Sequence, residues 1–295
     1  MFVISTKTKF LIRKALKEDL GTGDVTTGAF IPNGLFGEAS IIAKSEGVLC
    51  GGLVVKEVFR VVDPRLKVVQ KVSEGSFLTK GKRVFLIRGR ASSILKGERV
   101  ALNFLGHLSG IATVAHRFAQ AVKGTQSKIY DTRKTTPLWR ELEKYAVKTG
   151  GGKNHRFGLW DEILVKDNHW FAIRSMLEKT HCCYFSQRMQ PLLKRRRIPV
   201  EVEVASITEL KHLLGGDFLP DRILLDNFSV SKLRQAVETV RKKRLKVLLE
   251  ASGGITLKNV RQVAKTGVGR ISVGALTHSA PAFDFSLKLI RCFTS

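Results

Sequence analysis

One pattern recurs along the second half of the chain and constrains the fold more than any other feature. A short apolar run ends in a polar residue, a loop follows, and a helical segment leads to the next apolar run. This alternation predicts parallel strands joined by right-handed helical crossovers. About six such units favour a closed or nearly closed α/β barrel over an open sheet, and the sequence leaves closure undecided. The predicted strands are 128–131, 162–165, 200–204, 223–225, 247–249 and 271–273.

Several helix boundaries between these strands can be predicted from capping residues. Ser206 and Glu209 are spaced as a capping box, which marks a helix start. Thr136 and Pro137 are typical of a first helical turn, and Gly150 can end that helix. Thr256 is predicted to cap a helix over 257–265.

The first hundred residues follow a different pattern, with many glycines and short β-rich runs. Strands are predicted at 38–43, 66–72 and 83–88, followed by a helix over 91–122 with a broad apolar face. We therefore expect a compact α/β domain at 1–112 and a barrel domain at 113–278. The remaining segment, 279–295, is expected to pack back on the N-terminal domain.

Bulk composition indicates a globular protein without a membrane span. Hydrophobic residues make up 43% of the 295 positions, and no apolar run approaches the roughly 18 residues that a spanning helix needs. Residues 1–9 lack the features of a secretory signal, so a cytoplasmic location is expected. The four cysteines fit neither a disulfide framework nor a zinc site.

The formal net charge of +26 is unusually high. Such a charge suits nucleic acid, an anionic membrane or a highly anionic small substrate. The densest basic runs, 194–197 and 241–244, lack interleaved aromatics and accompany no nucleic-acid-binding motif. Both precede predicted strands and lie near helix C-termini, where cations are favoured. They are predicted to be solvated on the barrel face opposite the active site.

The residues that follow the predicted strands point to the chemistry. In α/β barrels the functional side chains lie at the C-terminal ends of the strands. Here the early strands supply cations, the middle strands carboxylates, and the last two glycine-rich backbone. That division suits a substrate with an acidic ring, a ribose and a phosphate. The residues are Arg133, Lys134, Lys166, Asp167, Glu203, Asp226, Ser252 and Gly274.

Each residue type fits a part of such a substrate. The planar fork of arginine pairs bidentately with carboxylates. Glu201 and Glu203 lie on one side of a strand and need partners or ligands inside a barrel, with Lys166 or Arg133 as candidate counter-charges. Ser252, Gly253 and Gly254 before a helix start offer backbone N–H groups to a phosphate.

The motifs themselves resemble a known family over about residues 10 to 290. The chain is similar to the quinolinate phosphoribosyltransferases. The fixed order of the motifs is more specific than any single motif. The motifs are 15–27 (ALKEDLGTGDVTT), 98–103 (ERVALN), 108–113 (LSGIAT), 131–137 (DTRKTTP), 150–156 (GGGKNHR), 164–169 (LVKDNH), 201–203 (EVE), 224–227 (LLDN) and 250–254 (EASGG).

This resemblance implies an N-terminal α/β sandwich-like domain and an incomplete α/β barrel with parallel strands. It also implies a homodimer with a shared active site, in which Arg99 comes from the neighbouring subunit. The implied quinolinate pocket is lined by Arg133, His155, Arg156 and Lys166.

The family pattern further implies roles at the sugar and phosphate end. Lys134 faces the pyrophosphate, Glu203 and Asp226 hold the ribose hydroxyls and substrate-bound Mg²⁺, and Ser252, Gly253, Gly254 and Gly274 cradle the 5′-phosphate. The implied reaction joins quinolinate to phosphoribosyl pyrophosphate and releases carbon dioxide, giving nicotinate mononucleotide for NAD synthesis. Lys134, Lys166, Glu203 and Asp226 are its predicted catalytic residues.

Three alternatives remain open at this point. A paralogous molybdenum-transport-associated family shares the fold but lacks the residues found here at Lys166 and Asn168. Nicotinate phosphoribosyltransferase is a more distant possibility, and a basic nucleic-acid-binding protein on an inactive barrel belongs to another class. The chain departs from the quinolinate family at Gly97, where alanine is common, and over the atypical stretch 170–197.

Overall fold

A computed structural model describes residues 3–177, 198–216 and 218–294, without the side chains of 173–177. It contains two compact units. The first comprises Met1–His116, Thr135–Gly151 and Leu276–Ser295, and the second comprises Arg117–Lys134 and Gly152–Ala275. Residues 135–151, which we placed in the barrel domain, therefore cluster with the first unit. The limits after 112 and 278 stay predictions.

The first unit contains a four-stranded antiparallel sheet in the order β12-β1-β5-β3 and a separate β2-β4 pair. The C-terminal strand β12 pairs along the whole of β1. The strands are β1 (Leu35–Ala43), β2 (Gly47–Val48), β3 (Lys67–Gln70), β4 (Phe77–Leu78), β5 (Arg83–Arg90) and β12 (Phe285–Thr294). The helices are α1 (Thr6–Leu20), α2 (Val25–Phe30), α3 (Gly52–Val62), α5 (Arg140–Thr149) and the long α4 (Ala91–Ala121), which continues past His116.

Alternation along β1 forms part of the core of this unit. Ala39, Ile41 and Ala43 are fully buried on one face of the strand. The glycine at position 97 also has a packing reason, since a Cβ there would lie 2.7 Å from the ring of the buried Phe59. Glycine lowers helix propensity, but it lets α3 and α4 approach closely at this point.

The second unit contains a six-stranded parallel sheet in the order β6-β11-β10-β9-β8-β7. The last strand pairs with the first, and the described parts of β6 and β7 do not pair with each other, which confirms the incomplete barrel. The strands are β6 (Lys128–Tyr130), β7 (Ile163–Val165), β8 (Val200–Val204), β9 (Arg222–Asp226), β10 (Leu248–Ser252) and β11 (Arg270–Ser272). The helices are α6 (Asp167–Leu177), α7 (Ile207–Leu213), α8 (Val230–Lys242) and α9 (Val260–Ala264), and α10 (Ala275–His278) follows β11.

One predicted helix start is confirmed. The Ser206 hydroxyl accepts a hydrogen bond from the Glu209 N–H at 3.1 Å, and the Glu209 carboxylate accepts one from the Ala205 N–H at 2.9 Å. Both side chains therefore bind backbone donors at the start of α7, as a capping box does.

Two other predicted helix starts are wrong. Helix α5 begins at Arg140 rather than after Pro137, because Leu138 adopts a left-handed conformation with φ of 68°. Helix α9 begins at Val260, so Thr256 does not cap it. The side chain of Asn259 instead accepts from the Thr256 N–H at 2.8 Å and donates to the Gly254 carbonyl at 2.9 Å, which holds a turn before the helix.

The remaining surface predictions are tested only in part. The run 241–244 is exposed at the C-terminal end of α8. The run 194–197 and the pair Cys182–Cys183 lie outside the described residues, as does most of the atypical stretch. Within the described parts of the chain, every helix is too short or too polar to cross a bilayer.

Candidate active site

The second unit brings most of the predicted site residues to one edge of its sheet. Because the six strands are parallel, their C-terminal ends share that edge. The register between β9 and β10 places Ser252 directly beside Asp226 at this edge. Along the sheet, Arg133 and Lys134 follow β6, Gly274 follows β11, Ser252 ends β10, Asp226 ends β9, Glu203 lies in β8, and Lys166 follows β7.

Two arginines lie close together in this unit. The Arg156 side chain is largely buried, and its Nη1 donates to the Glu162 carbonyl oxygen at 3.1 Å. Burial and then the charge of Arg133 lower the pKa of Arg156. Two guanidinium groups held near each other repel, so an anion bound between them would relieve the repulsion. This arrangement suits a ligand with more than one negative charge.

Lys166 and Glu203 form an ion pair across β7 and β8. The Nζ of Lys166 lies 2.5 Å from Oε2 of Glu203, with 42% of the lysine side chain and 12% of the glutamate side chain exposed. Lys166 was one of the two counter-charges, with Arg133, that the sequence allowed for the glutamates of β8. The lysine therefore keeps part of its surface accessible while its position is fixed by a more deeply buried carboxylate.

The ends of β9 and β10 are joined through Asn227. This residue has φ of 54°, and its N–H donates to the Ser252 carbonyl at 2.9 Å. Its side-chain amide donates to Oδ2 of Asp226 at 2.8 Å. Gly253 packs so closely against Asn227 that no Cβ fits there, and its φ of 88° is left-handed. The Asp226 carboxylate and the Gly253 backbone are thus fixed relative to each other.

His155 is buried inside the second unit rather than exposed at this edge. Its Nε2 lies 3.0 Å from Oε2 of Glu201 and 3.3 Å from Oε1 of Glu250, and both glutamates are fully buried. Burial lowers the pKa of His155 and the two carboxylates raise it to about 9, but the Arg156 N–H that donates to Nδ1 at 2.7 Å opposes the second ring proton.

The structure adds residues that the sequence did not identify as part of the site. Glu250, Arg270 and Ser272 meet because β10 and β11 pair in parallel with Glu250 beside Arg270. Both Arg270 and Ser272 donate hydrogen bonds to the Glu250 carboxylate. The alternation of Glu250 and Ser252 on β10 was a usable signal for the inward direction of Glu250, whereas the pairing with Arg270 depends on register.

The positions of two further predicted residues are given by their own elements. Arg99 is exposed on α4 in the first unit. Lys134 is exposed in the loop after β6, where its N–H donates to the Thr132 hydroxyl at 3.1 Å. Their roles stay predictions.

The carboxylates at the sheet edge are suitable ligands for Mg²⁺. Magnesium prefers oxygen ligands and is commonly held by one or two carboxylates together with substrate phosphates. Glu203 and Asp226 are the carboxylates that β8 and β9 carry to this edge, and both are half-buried. They fit a metal that arrives with a phosphorylated substrate.

The chain matches known proteins over nearly its whole length. The domain described as "Quinolinate phosphoribosyl transferase, C-terminal domain" matches residues 111–288, and the corresponding N-terminal domain matches residues 24–109. Nicotinate-nucleotide pyrophosphorylase (carboxylating) of Mycobacterium leprae is 42% identical over 283 residues, which cover 94% of this chain and 95% of that protein. The probable enzyme of the same name from Bacillus subtilis is 38% identical over 285 residues, covering 95% and 93%.

Solved structures agree with these matches. The nicotinate-nucleotide pyrophosphorylase of Francisella tularensis superimposes with a TM-score of 0.88 at 36% identity, covering 98% of each chain. Both domains are therefore shared with proteins of one kind. The chain belongs to the quinolinate phosphoribosyltransferase family.

Proposed function

We propose that this protein transfers the phosphoribosyl group of phosphoribosyl pyrophosphate to quinolinate, with loss of carbon dioxide, to give nicotinate mononucleotide and pyrophosphate. Its relatives from Mycobacterium leprae and Bacillus subtilis carry the name of this activity and align over more than nine-tenths of their length. The proposed reaction removes one carboxylate of quinolinate and supplies a pyridine nucleotide for NAD synthesis.

The observation that carries the proposal is the closeness of Arg133 and Arg156. Quinolinate bears two carboxylates on adjacent ring carbons, and arginine pairs with a carboxylate through two parallel hydrogen bonds. The charge of Arg133, which lowers the pKa of Arg156, supports a common anion between the two side chains. Lys166, anchored by Glu203, would hold the same ring from another strand end and so orient its nitrogen.

The transfer step is a substitution at C1 of the ribose. The pyridine nitrogen attacks C1, the bond from C1 to the pyrophosphate oxygen breaks, and pyrophosphate leaves with that electron pair. Lys134 would stabilise the departing charge, while Glu203 and Asp226 balance the positive charge that develops on the sugar. Glu203 and Asp226 would also hold Mg²⁺, which when bound supplies further electrostatic stabilisation of the leaving group. No protein nucleophile is required.

Decarboxylation follows from the first step. Once alkylated, the ring nitrogen is cationic and stabilises the electron pair that stays on the adjacent ring carbon when its carboxylate leaves as carbon dioxide. A proton from solvent then bonds to that carbon and gives nicotinate mononucleotide. Arg133, Arg156 and Lys166 contribute by positioning the ring in this second step.

The 5′-phosphate would bind to backbone N–H groups rather than to a helix end. Ser252 ends β10, Gly253 and Gly254 follow it, and Gly274 follows the adjacent strand β11. Helix α9 begins several residues later, at Val260, and has only five residues. The glycines allow a phosphate to approach the main chain closely, which is where the specificity of this subsite would arise.

The assembly and the location of the enzyme are also proposed. A homodimer would let Arg99 of one subunit contribute to the quinolinate pocket of the other, and the exposure of Arg99 on α4 leaves it available for that contact. We propose a cytoplasmic enzyme.

The function is tested with purified protein, quinolinate, phosphoribosyl pyrophosphate and Mg²⁺, followed by chromatography of the products. Nicotinate mononucleotide is expected from quinolinate, with little product from nicotinate, which lacks the second carboxylate. Omission of Mg²⁺ should abolish turnover, and Arg133→Ala should lose most activity while remaining folded. Product from nicotinate alone would replace the proposal by a nicotinate transferase.

A further inference from the structure

Beneath the strand ends lies a set of buried charges that the reaction above does not use. Glu201 on β8 and Glu250 on β10 are both fully buried, and both face Nε2 of His155. Burying two carboxylates is costly unless each has a partner. Their partners differ, and this difference bears on what His155 can do.

Glu250 has the stronger set of partners of the two. Arg270 and Ser272 both donate to its carboxylate. Burial alone would raise the pKa of Glu250, but His155, Arg270 and Ser272 hold it lowered to about 2. Arg270 is itself fixed, because its guanidinium stacks 3.7 Å from the centre of the Tyr130 ring. Glu250 therefore presents a fixed negative charge to the imidazole.

Glu201 has a weaker set of partners. Burial raises its pKa. The Arg222 guanidinium places Nε 3.7 Å from Oε2 of Glu201 and pairs with the Glu162 carboxylate through Nη2. The His155, Glu162 and Glu201 ligand atoms lie within 4.8 Å of one another, a spacing that a metal ion could use. Arg222 already supplies a positive charge there, so we interpret the group as a network of buried charged and polar side chains.

The other side of His155 is held by backbone groups. Its Nδ1 accepts a hydrogen bond from the Arg156 N–H at 2.7 Å, and its own N–H donates to Oδ1 of the buried Asp131 at 2.8 Å. Both ring nitrogens are thus engaged within the protein. The bond at Nδ1 places the ring proton on Nε2, facing the two glutamates, and opposes a second proton on the ring. The expected direct contact between His155 and quinolinate would require one of these bonds to break.

We propose that Glu201 and Glu250 are positioning residues that act through His155 to set the direction of Arg156. The imidazole links the two carboxylates to the Arg156 main chain, while the Arg156 side chain is tied to the Glu162 carbonyl at 3.1 Å. The network thereby determines how well the enzyme recognises a dicarboxylate. This inference rests on the proposed function only in assigning Arg156 to quinolinate.

Glu201→Gln is the primary test, because it keeps the shape of the side chain. The quinolinate KM should rise about 10-fold, in line with other changes to groups that orient a ligand, while the KM for phosphoribosyl pyrophosphate stays within about 2-fold because the sugar subsite is untouched. Glu238→Gln is the matched control, since Glu238 forms only an exposed ion pair with Lys242 on α8. An unchanged quinolinate KM in Glu201→Gln, or an equal rise for both substrates, would overturn the proposal.

A second measurement does not depend on turnover. Nitrogen NMR of the full-length protein with labelled histidine, assigned with His155→Gln, reports the protonation of the His155 ring. The wild-type ring should show a proton on Nε2 and an acceptor Nδ1, and Glu201→Gln should shift the Nε2 signal, whereas Glu238→Gln leaves it unchanged. Glu250→Gln leaves Arg270 without its buried counter-charge and could unfold the protein, so the conclusion does not depend on it.

The two measurements separate the possible failures. A wild-type protein without transferase activity that still shows the predicted His155 signal would refute the proposed function and retain the network. An active enzyme whose His155 signal is that of a free, solvent-exposed imidazole would refute the network alone.

Discussion

Lys166 Nζ lies 2.5 Å from the Oε2 atom of Glu203, so the lysine at the end of β7 and the carboxylate on β8 neutralise each other beside the proposed ring site. The pair does two things at once. It compensates a largely buried glutamate, and it holds a cation whose side chain remains 42% exposed.

Removing the lysine should therefore damage catalysis more than stability. Lys166→Ala is expected to lower kcat/KM for quinolinate by about 100-fold, as loss of a preorganised cation commonly does, since the ring loses an orienting contact. Steady-state kinetics measure the effect. The matched control is Lys242→Ala, which removes a lysine paired with Glu238 at 2.8 Å on the surface and should leave activity intact. Equal losses in both variants would contradict the role of Lys166.

The two glycines after β10 offer a second test. Gly253 has φ of 88° and no room for a Cβ beside Asn227, whereas Gly254 has φ of 59° and open space around it. Gly254→Ala should cost only about 1 kcal/mol from its backbone conformation. Gly253→Ala must also displace Asn227 and with it the Asp226 contact, so its KM for phosphoribosyl pyrophosphate should rise at least about 10-fold.

Thermal melts and substrate titrations of the two alanine variants separate these effects. If the melting temperatures of Gly253→Ala and Gly254→Ala fell equally, close packing against Asn227 would not set Gly253 apart.

Asp63, at the end of α3, gives a pH-dependent prediction in the first unit. Its carboxylate accepts from the Arg65 guanidinium at 2.8 Å and the Ser93 hydroxyl at 2.9 Å, and these bonds hold its pKa lowered to about 2 against the effect of burial. Asp63→Asn should cost about 1–3 kcal/mol at neutral pH, the usual loss for a buried charged acceptor. Exposed Asp19→Asn on α1 should cost little.

The sign follows from the lowered pKa. The stability that Asp63 contributes is present above its unfolded pKa near 3.8 and is lost as the pH falls towards about 2. The difference in unfolding free energy between wild type and Asp63→Asn, measured with urea, should narrow between pH 7 and pH 3. A gap that stays constant over that range would show that ionisation of Asp63 is not the cause.

Much of this architecture could be predicted from the sequence. The predicted bounds of the barrel strands lie within a few residues of the observed bounds. Short apolar runs that end in polar residues are a sufficient signal for such strands. The start of α5 was missed because it depends on the left-handed Leu138, which no local pattern indicates. The start of α9 depends on side-chain bonds made by Asn259, and Thr256 was an equally plausible cap.

Site residues that lie at strand ends could be predicted from the sequence. Contacts that depend on the register between strands could not. Lys166, Glu203, Asp226 and Ser252 could be placed on one edge once parallel strands were assumed. The contact of Glu250 with Arg270 joins residues 20 positions apart, and it exists only because β10 pairs with β11 in one particular register. Burial of His155 between two glutamates likewise requires the three-dimensional arrangement.

The shared active site can be tested by mixing two inactive variants. Arg99→Ala removes the arginine proposed to enter the neighbouring subunit, and Lys166→Ala disables the site of its own subunit. Random reassociation after mild denaturation should restore about a quarter of wild-type activity, because half of the dimers are mixed and each has one intact site. Refolding each variant alone is the control. No recovery in the mixture would place Arg99 and Lys166 in the same site of one subunit. Full activity of Arg99→Ala refolded alone would exclude Arg99 from the site.

The most direct test of the central claim follows carbon dioxide. Quinolinate labelled at the carboxylate next to the ring nitrogen is incubated with the enzyme and Mg²⁺, with and without phosphoribosyl pyrophosphate, and released label is compared with nicotinate mononucleotide formed. One carbon dioxide per nucleotide, and none without the sugar donor, is the predicted result. Release of label without phosphoribosyl pyrophosphate, or nucleotide formed without release, would contradict a mechanism in which transfer to the ring nitrogen makes decarboxylation possible.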